Sequence, residues 1–209
     1  MIKTILKQTA DGFLAGTMIS IGCAVYLACE NKYIGAILFS VALMTICYKG
    51  YSLYTGKIGY IVENHTKNDV SVLTLGLLGN VIATALFGIA IRYAIPSLGA
   101  TAEVLVANKY MQEWWQTLIR AILCGILMYV AVSVYKEKKT IAGIVFCIPV
   151  FILSGFEHSI ADMCYFAVGG EFSIKAFLFI MIVILGNSIG GVLFPLFGLL
   201  KKEKNDVQS

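Results

Sequence analysis

The chain has 209 residues, of which 59% are hydrophobic and 13% charged, and its mean hydropathy is +0.84. A soluble domain carries about 25% charged residues, so this composition excludes one and describes an integral membrane protein. The formal net charge of +4 does not indicate a nucleic-acid partner, because the lysines sit mostly in short loops and tails and are not clustered with aromatics on a soluble module.

A helix needs about 20 apolar residues to cross about 30 Å of hydrocarbon, and six segments are long enough. The first is 12–29. Lys3 and Lys7 precede it, but no small-residue cleavage site stands out, so it is expected to be a span and not a cleaved leader. The second, 33–62, is too long for one straight span and is interrupted by polar and glycine residues between Tyr48 and Lys57, around Gly50. The third, 72–95, contains Leu78-Gly79-Asn80-Val81-Ile82-Ala83. The fourth, 114–135, opens on Trp114 and Trp115, where an interfacial aromatic belt is expected. The fifth, 140–169, is again too long and is interrupted by Gly155-Phe156-Glu157-His158-Ser159. The sixth, 174–200, contains Leu185-Gly186-Asn187-Ser188-Ile189-Gly190.

Three spans per half, a matching break at Gly50 and Gly155, and a matching Gly-Asn pair at Asn80 and Asn187 predict an inverted repeat over residues 12–95 and 114–200 of a single 1–209 transmembrane domain. Broken helices that meet near the midplane are a transport architecture, since irregular backbone is tolerated there only where it is buried or lines a cavity. Asn80 and Asn187 are expected to anchor the broken segments, while Gly79 and Gly186 allow close helix packing. Placing both termini in the cytoplasm puts Lys3, Lys7, Lys67, Lys136, Lys138, Lys139, Lys201, Lys202 and Lys204 inside. That agrees with the excess of basic residues in cytoplasmic loops.

Glu157 and His158 lie in an apolar stretch in which a titratable group costs roughly 2.5–3.5 kcal/mol on insertion scales. Such residues mark ion or proton paths, or else serve interhelical hydrogen bonding. The six cysteines (Cys23, Cys29, Cys47, Cys124, Cys147 and Cys164) form no C-x-x-C pair and no zinc spacing, and read as buried free thiols. No metal and no cofactor is expected. Arg120 and Lys49 lie near span ends and read as snorkelling side chains; His65 and Lys175 read as solvated.

Gly155-Phe156-Glu157-His158-Ser159-Ile160-Ala161-Asp162-Met163, Gly186-Asn187-Ser188-Ile189-Gly190-Gly191 and Leu53-Tyr54-Thr55 together resemble motifs of the formate/nitrite transporter family, including its hydrosulfide-channel branch. The resemblance covers nearly the whole chain. It implies an all-α, aquaporin-like protomer of six transmembrane helices with broken second and fifth helices, assembled as a homopentamer in the cytoplasmic membrane with one pore per protomer. It further implies that His158 is the central pore histidine, Thr55 the loop threonine facing it, Glu157 the acid behind it and Lys109 the vestibule lysine. Phe39, Leu43 and Phe151 fall at the outer apolar constriction and Leu53 at the inner one, with Met128 at a position often held by a smaller aliphatic residue. Spacing alone would make the apolar ones ordinary packing residues. Gly125, where the family often has asparagine, Tyr54 in place of phenylalanine, and a short N-terminal extension depart from the family pattern.

These residues suit a channel or proton-linked transporter for a small monovalent anion: formate, nitrite, hydrosulfide or a short carboxylate. A basic vestibule attracts the anion, and an imidazole with an intrinsic pKa near 6.5 exchanges a proton with it. The neutral acid then passes the apolar rings. A neutral-solute channel is one alternative. A membrane-embedded redox enzyme using His158, Glu157, Asp162 and the thiols is another, although H-E-x-x-H, haem-ligand and nucleotide-binding motifs are missing.

Overall fold

The computed structural model describes the backbone of residues 2–206 and the side chains of residues 2–199; Lys201, Lys202 and Lys204, used above for orientation, have side chains outside the described residues. All regular elements among the described residues are helical. They are α1 (Ile2–Ala28), α2 (Lys32–Lys49), α3 (Tyr54–Lys57), a 3-10 turn (Ile58–Val62), α4 (Lys67–Ala94), α5 (Pro96–Lys109), α6 (Trp114–Lys138), α7 (Ala142–Leu153), α8 (Ser159–Val168) and α9 (Ile174–Asp206).

Local chemistry sets the helix ends. Asn31 starts α2 by accepting from the amides of Tyr33 and Ile34, which satisfies donors that have no partner inside the helix. Thr66 and Asp69 form a reciprocal capping box at α4, and Glu113 with Gln116 forms another at α6. Pro96 occupies the first turn of α5, where a missing amide hydrogen costs nothing.

Five helices (α1, α2, α4, α6 and α9) are long and apolar enough to cross a membrane, whereas α7 and α8 are shorter apolar helices. The segment 33–62 divides into α2, which reaches span length alone, and the short α3 with its 3-10 turn. The segment 140–169 divides into α7 and α8, with non-helical backbone between them. Each division begins at a glycine with positive φ, Gly50 at 72° and Gly155 at 67°, a conformation that penalises any residue with a Cβ. α5, between the third and fourth segments, was not anticipated from the sequence; it is amphipathically weak and carries Glu103 and Lys109, so hydropathy does not reveal it.

The two most extensive helix pairings are α1 with α4 and α6 with α9. Glycines bring the backbones together there. A Cβ on Gly125 of α6 would lie 2.4 Å from the Asn187 carbonyl oxygen of α9. That distance explains the departure noted above: this packing has no room for a side chain at position 125. The core runs through the middle of the bundle and includes Phe39, Leu43, Leu53, Met128 and Phe151, each at most 3% exposed.

Candidate functional site

Asn80 and Asn187 make the same three bonds in each half of the chain. Asn80 Oδ1 accepts from the Tyr54 amide at 3.0 Å, and its Nδ2 donates to the carbonyls of Gly12 at 2.7 Å and Ser52 at 2.9 Å. Asn187 Oδ1 accepts from the Ser159 amide at 2.8 Å, and its Nδ2 donates to the carbonyls of Ala121 at 2.9 Å and Glu157 at 2.8 Å. Breaking α2 and α7 leaves backbone groups without helical partners, and buried orphans of this kind cost about 1–3 kcal/mol each. The two amides supply the missing partners.

The ends of the two breaks touch. Thr55 Oγ1 and His158 Nε2 are 2.8 Å apart, with Thr55 1% and His158 2% exposed. His158 is also the N-cap of α8, its Nδ1 accepting from the Ala161 amide at 3.1 Å. A ring nitrogen that accepts carries no proton, so in the neutral ring Nε2 bears the hydrogen and donates to Thr55. Thr55 then keeps its own hydroxyl hydrogen, for which no other acceptor occurs among the described residues. Leu53 holds the corresponding cap position of α3 and makes no side-chain cap bond. The two halves thus differ at their cap, apolar in one and imidazole in the other. The Phe151 ring stacks on His158 with centroids 5.6 Å apart, and Phe39 meets Phe151 edge-on at 6.4 Å.

Glu157 turns away from Thr55. Its carboxylate accepts from the Lys109 ammonium and, at 2.7 Å, from Gln112 Nε2. Lys109 also bonds Asp162 Oδ1 at 2.9 Å, while Asp162 Oδ2 is buried without a partner. One ammonium from α5 therefore holds two carboxylates, both 2% exposed. Consecutive residues at a helix start diverge in direction, which separates the environments of Glu157 and His158. On sequence Lys109 and Glu157 are expected in the substrate pathway and Asp162 only in the redox-enzyme alternative, while nothing marks Gln112. The available signal was two acids within an uncharged stretch, which demand a cation nearby.

Two cavities approach this centre from opposite ends of α2. The larger, about 380 Å³, is lined by Phe39, Phe151, Gly155, Glu157, His158 and Lys109, and also by Lys32 and Arg120. The smaller, about 210 Å³, is lined by Leu43, Leu53, Gly50, Cys47, Lys57 and Lys136. Leu43, which the family resemblance groups with Phe39 and Phe151, lines the other cavity together with Leu53. Phe39 and Leu43 are four residues apart, about 6 Å along the helix, and each is 1% exposed. Met128 is buried in the core and lines neither cavity. Lys175, expected to be solvated, lies 4.1 Å from the centre of the Tyr110 ring. Arg120 reaches the Gly155 carbonyl at 3.4 Å. All six cysteines are free thiols, and among the described residues no three His, Cys, Asp or Glu side chains are grouped to hold a metal ion.

Residues 1–200 match the sequence model of a family described as formate/nitrite transporter. An uncharacterized transporter of Bacillus subtilis is 31% identical over 150 residues, which span 64% of this chain and 57% of that protein. A probable formate transporter of Methanothermobacter thermautotrophicus is 28% identical over 235 residues, covering 90% of this chain and 85% of that protein. Among solved structures, a pentameric formate channel with formate bound superposes with a TM-score of 0.77 at 21% identity, covering 96% of this chain and 98% of that one. An ion channel of the same family superposes with a TM-score of 0.78 at 19% identity, over 97% and 99% of the two chains. The fold is shared with both.

Proposed function

Because the chain belongs to the formate/nitrite transporter family, a family of transporters and channels and not of enzymes, we propose that it conducts a small monovalent anion through a pore in each protomer of a homopentamer. The observation that carries this reading is the buried Thr55–His158 pair, joined at 2.8 Å where the breaks of the two halves meet. On this reading the protomer is one aquaporin-like domain with a 3+3 inverted repeat, lying in the cytoplasmic membrane with both termini inside. The larger cavity then opens outward and the smaller one faces the cytoplasm.

An anion entering the layer of Phe39, Phe151, Leu43 and Leu53 loses its hydration at a cost of many kcal/mol, whereas its conjugate acid loses far less. The centre offers hydrogen-bond donors to offset that loss. Ala161 donates to His158 Nδ1, Nε2–H donates to Thr55, and the Thr55 hydroxyl hydrogen is left for the passing ion. Successive donors polarise one another. A second proton on the imidazole requires Nδ1 to leave the Ala161 amide, so proton exchange at His158 is coupled to loosening the first turn of α8. Lys109 supports the site in a different way from simple attraction. Its ammonium compensates Glu157 and Asp162, and Lys32 and Arg120 are the additional cations lining the outward cavity.

The test is flux into proteoliposomes for formate, nitrite, hydrosulfide, acetate and lactate across pH. Transport that follows anion identity and total acid supports the reading. Passage of uncharged solutes alone, with no anion flux at any pH, overturns it in favour of a neutral-solute channel.

A further inference from the structure

We propose that Lys57 and Lys136 form an anion-binding subsite at the mouth of the smaller cavity, across the apolar layer from His158, which captures the permeating anion on that side. The inference rests on the reading of the protomer as an anion pore.

Both side chains line the cavity whose inner wall is Leu43 and Leu53, and both also line an adjoining hollow of about 220 Å³. An ion approaching the apolar layer from this side therefore meets both ammonium groups first. Each is positioned by a partner that leaves its charge uncompensated. Lys57 Nζ donates to Ser52 Oγ at 3.0 Å. Ser52 is itself fixed in the break, its amide donating to the Asp11 carbonyl and its own carbonyl accepting from Asn80. Lys136 Nζ sits 3.3 Å from the centre of the Tyr60 ring, a cation–π contact that orients an ammonium without neutralising it. Tyr60 is in turn packed against Tyr129 at 5.6 Å.

The contrast is with Lys109, the cation beside the carboxylates of the other cavity, whose Lys32 and Arg120 bond only backbone carbonyls. Lys109 is bonded to two carboxylates; here neither lysine is ion-paired among the described residues. The acids in the neighbourhood are Asp11, Glu63, Asp69 and Glu137, and none of them closes a salt bridge to Lys57 or Lys136. An ammonium has three donors; Lys57 uses one on Ser52, so the remaining hydrogens are available to an anion. The pair suits a small ion with oxygen or sulfur acceptors, and two like charges at a low-dielectric mouth raise its local concentration.

The experiment compares wild type, Lys57→Gln/Lys136→Gln and Lys57→Arg/Lys136→Arg in proteoliposomes of determined orientation, with formate as the probe applied from each side in turn. The expected result for the glutamine pair is a half-saturation concentration raised about threefold to tenfold for formate entering from the Lys57 side, with little change from the His158 side. Its flux should also lose the ionic-strength dependence that wild type shows from that side, and the arginine pair should restore both properties. Lys136→Gln alone removes an exposed side chain and keeps the test available if the double variant does not assemble; it is expected to give a smaller one-sided rise. Unchanged one-sided kinetics in a variant that still conducts formate overturns the subsite and leaves the pore reading standing. A wild-type protein that passes no anion from either side overturns both.

Discussion

The hydrogen bond between Thr55 Oγ1 and His158 Nε2 joins residues 103 positions apart, and each of them follows a break in its own helix. Together with the 2.7 Å contact between the Tyr54 and Ser188 hydroxyls, it joins the two halves through side-chain hydrogen bonds. Its direction is set elsewhere, by the Ala161 amide that takes the lone pair of Nδ1.

Thr55→Val keeps the volume of the side chain but removes the acceptor for the imidazole N–H and the hydroxyl donor facing the path. A buried donor left without a partner costs about 1–3 kcal/mol. The expected outcome is a lower melting temperature of the assembled protein and anion flux reduced by about tenfold, the worth of one such hydrogen bond. Thr55→Ser should retain most of both. Full flux in the valine variant would remove the hydroxyl from the mechanism.

His158→Asn retains a hydrogen-bonding side chain that caps a helix well but cannot become a cation. Assembly should survive, and the pH dependence of flux between about pH 5 and 8 should change. Flux against pH, measured beside the thermal stability of the oligomer, separates this outcome from a structural role. Lost stability with an unaltered pH profile would mark the histidine as interhelical glue.

Asn187→Ala removes three hydrogen bonds at once, to Ser159, Ala121 and Glu157. Asn187 is fully buried, so the loss should exceed that from a typical surface change and reach about 2–4 kcal/mol. Asn80→Ala should behave alike, because it abolishes the same set of bonds in the other half. Thermal unfolding in detergent checks both; a loss in one variant only would mean that the halves are not held equivalently.

Lys109→Met leaves Glu157 and Asp162 buried with no ammonium between them. Breaking a buried ion pair from one side costs about 3–5 kcal/mol. The triple change Lys109→Met, Glu157→Gln, Asp162→Asn should therefore be more stable than Lys109→Met alone. A triple variant as unstable as the single one would show that the lysine acts by packing and not by charge.

Gly125→Ala tests the contact between α6 and α9. The added methyl would meet the Asn187 backbone at 2.4 Å, and backbone cannot yield as a flexible side chain does. Overpacking of this kind costs about 1–3 kcal/mol, and it should also displace Asn187 from the break that it holds. Unchanged stability and flux would show that the two helices can separate freely.

The sequence by itself determined the membrane-length apolar segments and the positions at which they are interrupted, since hydropathy, excess length and glycines such as Gly50 and Gly155 are local properties. It also marked Asn80 and Asn187, as polar residues in equivalent apolar surroundings, and the acid–histidine pair Glu157–His158. The family resemblance, and not composition or spacing, already implied that Thr55 faces His158. Only the tertiary structure decided which other groups meet. That Lys109 joins Asp162 as well as Glu157, and that Leu43 lies with Leu53 across from Phe39, depend on how distant helices rotate against one another. Such rotations are set by packing between backbones, as at Gly125 and Asn187, and composition within one span carries little information about them. The same holds for α5, whose weak amphipathic signal hid a helix that delivers Lys109 to the site. Along the chain Lys57 closes the interruption of the second segment and Lys136 counts among the cytoplasmic lysines; they come to one mouth only because α3 and the end of α6 line the same cavity.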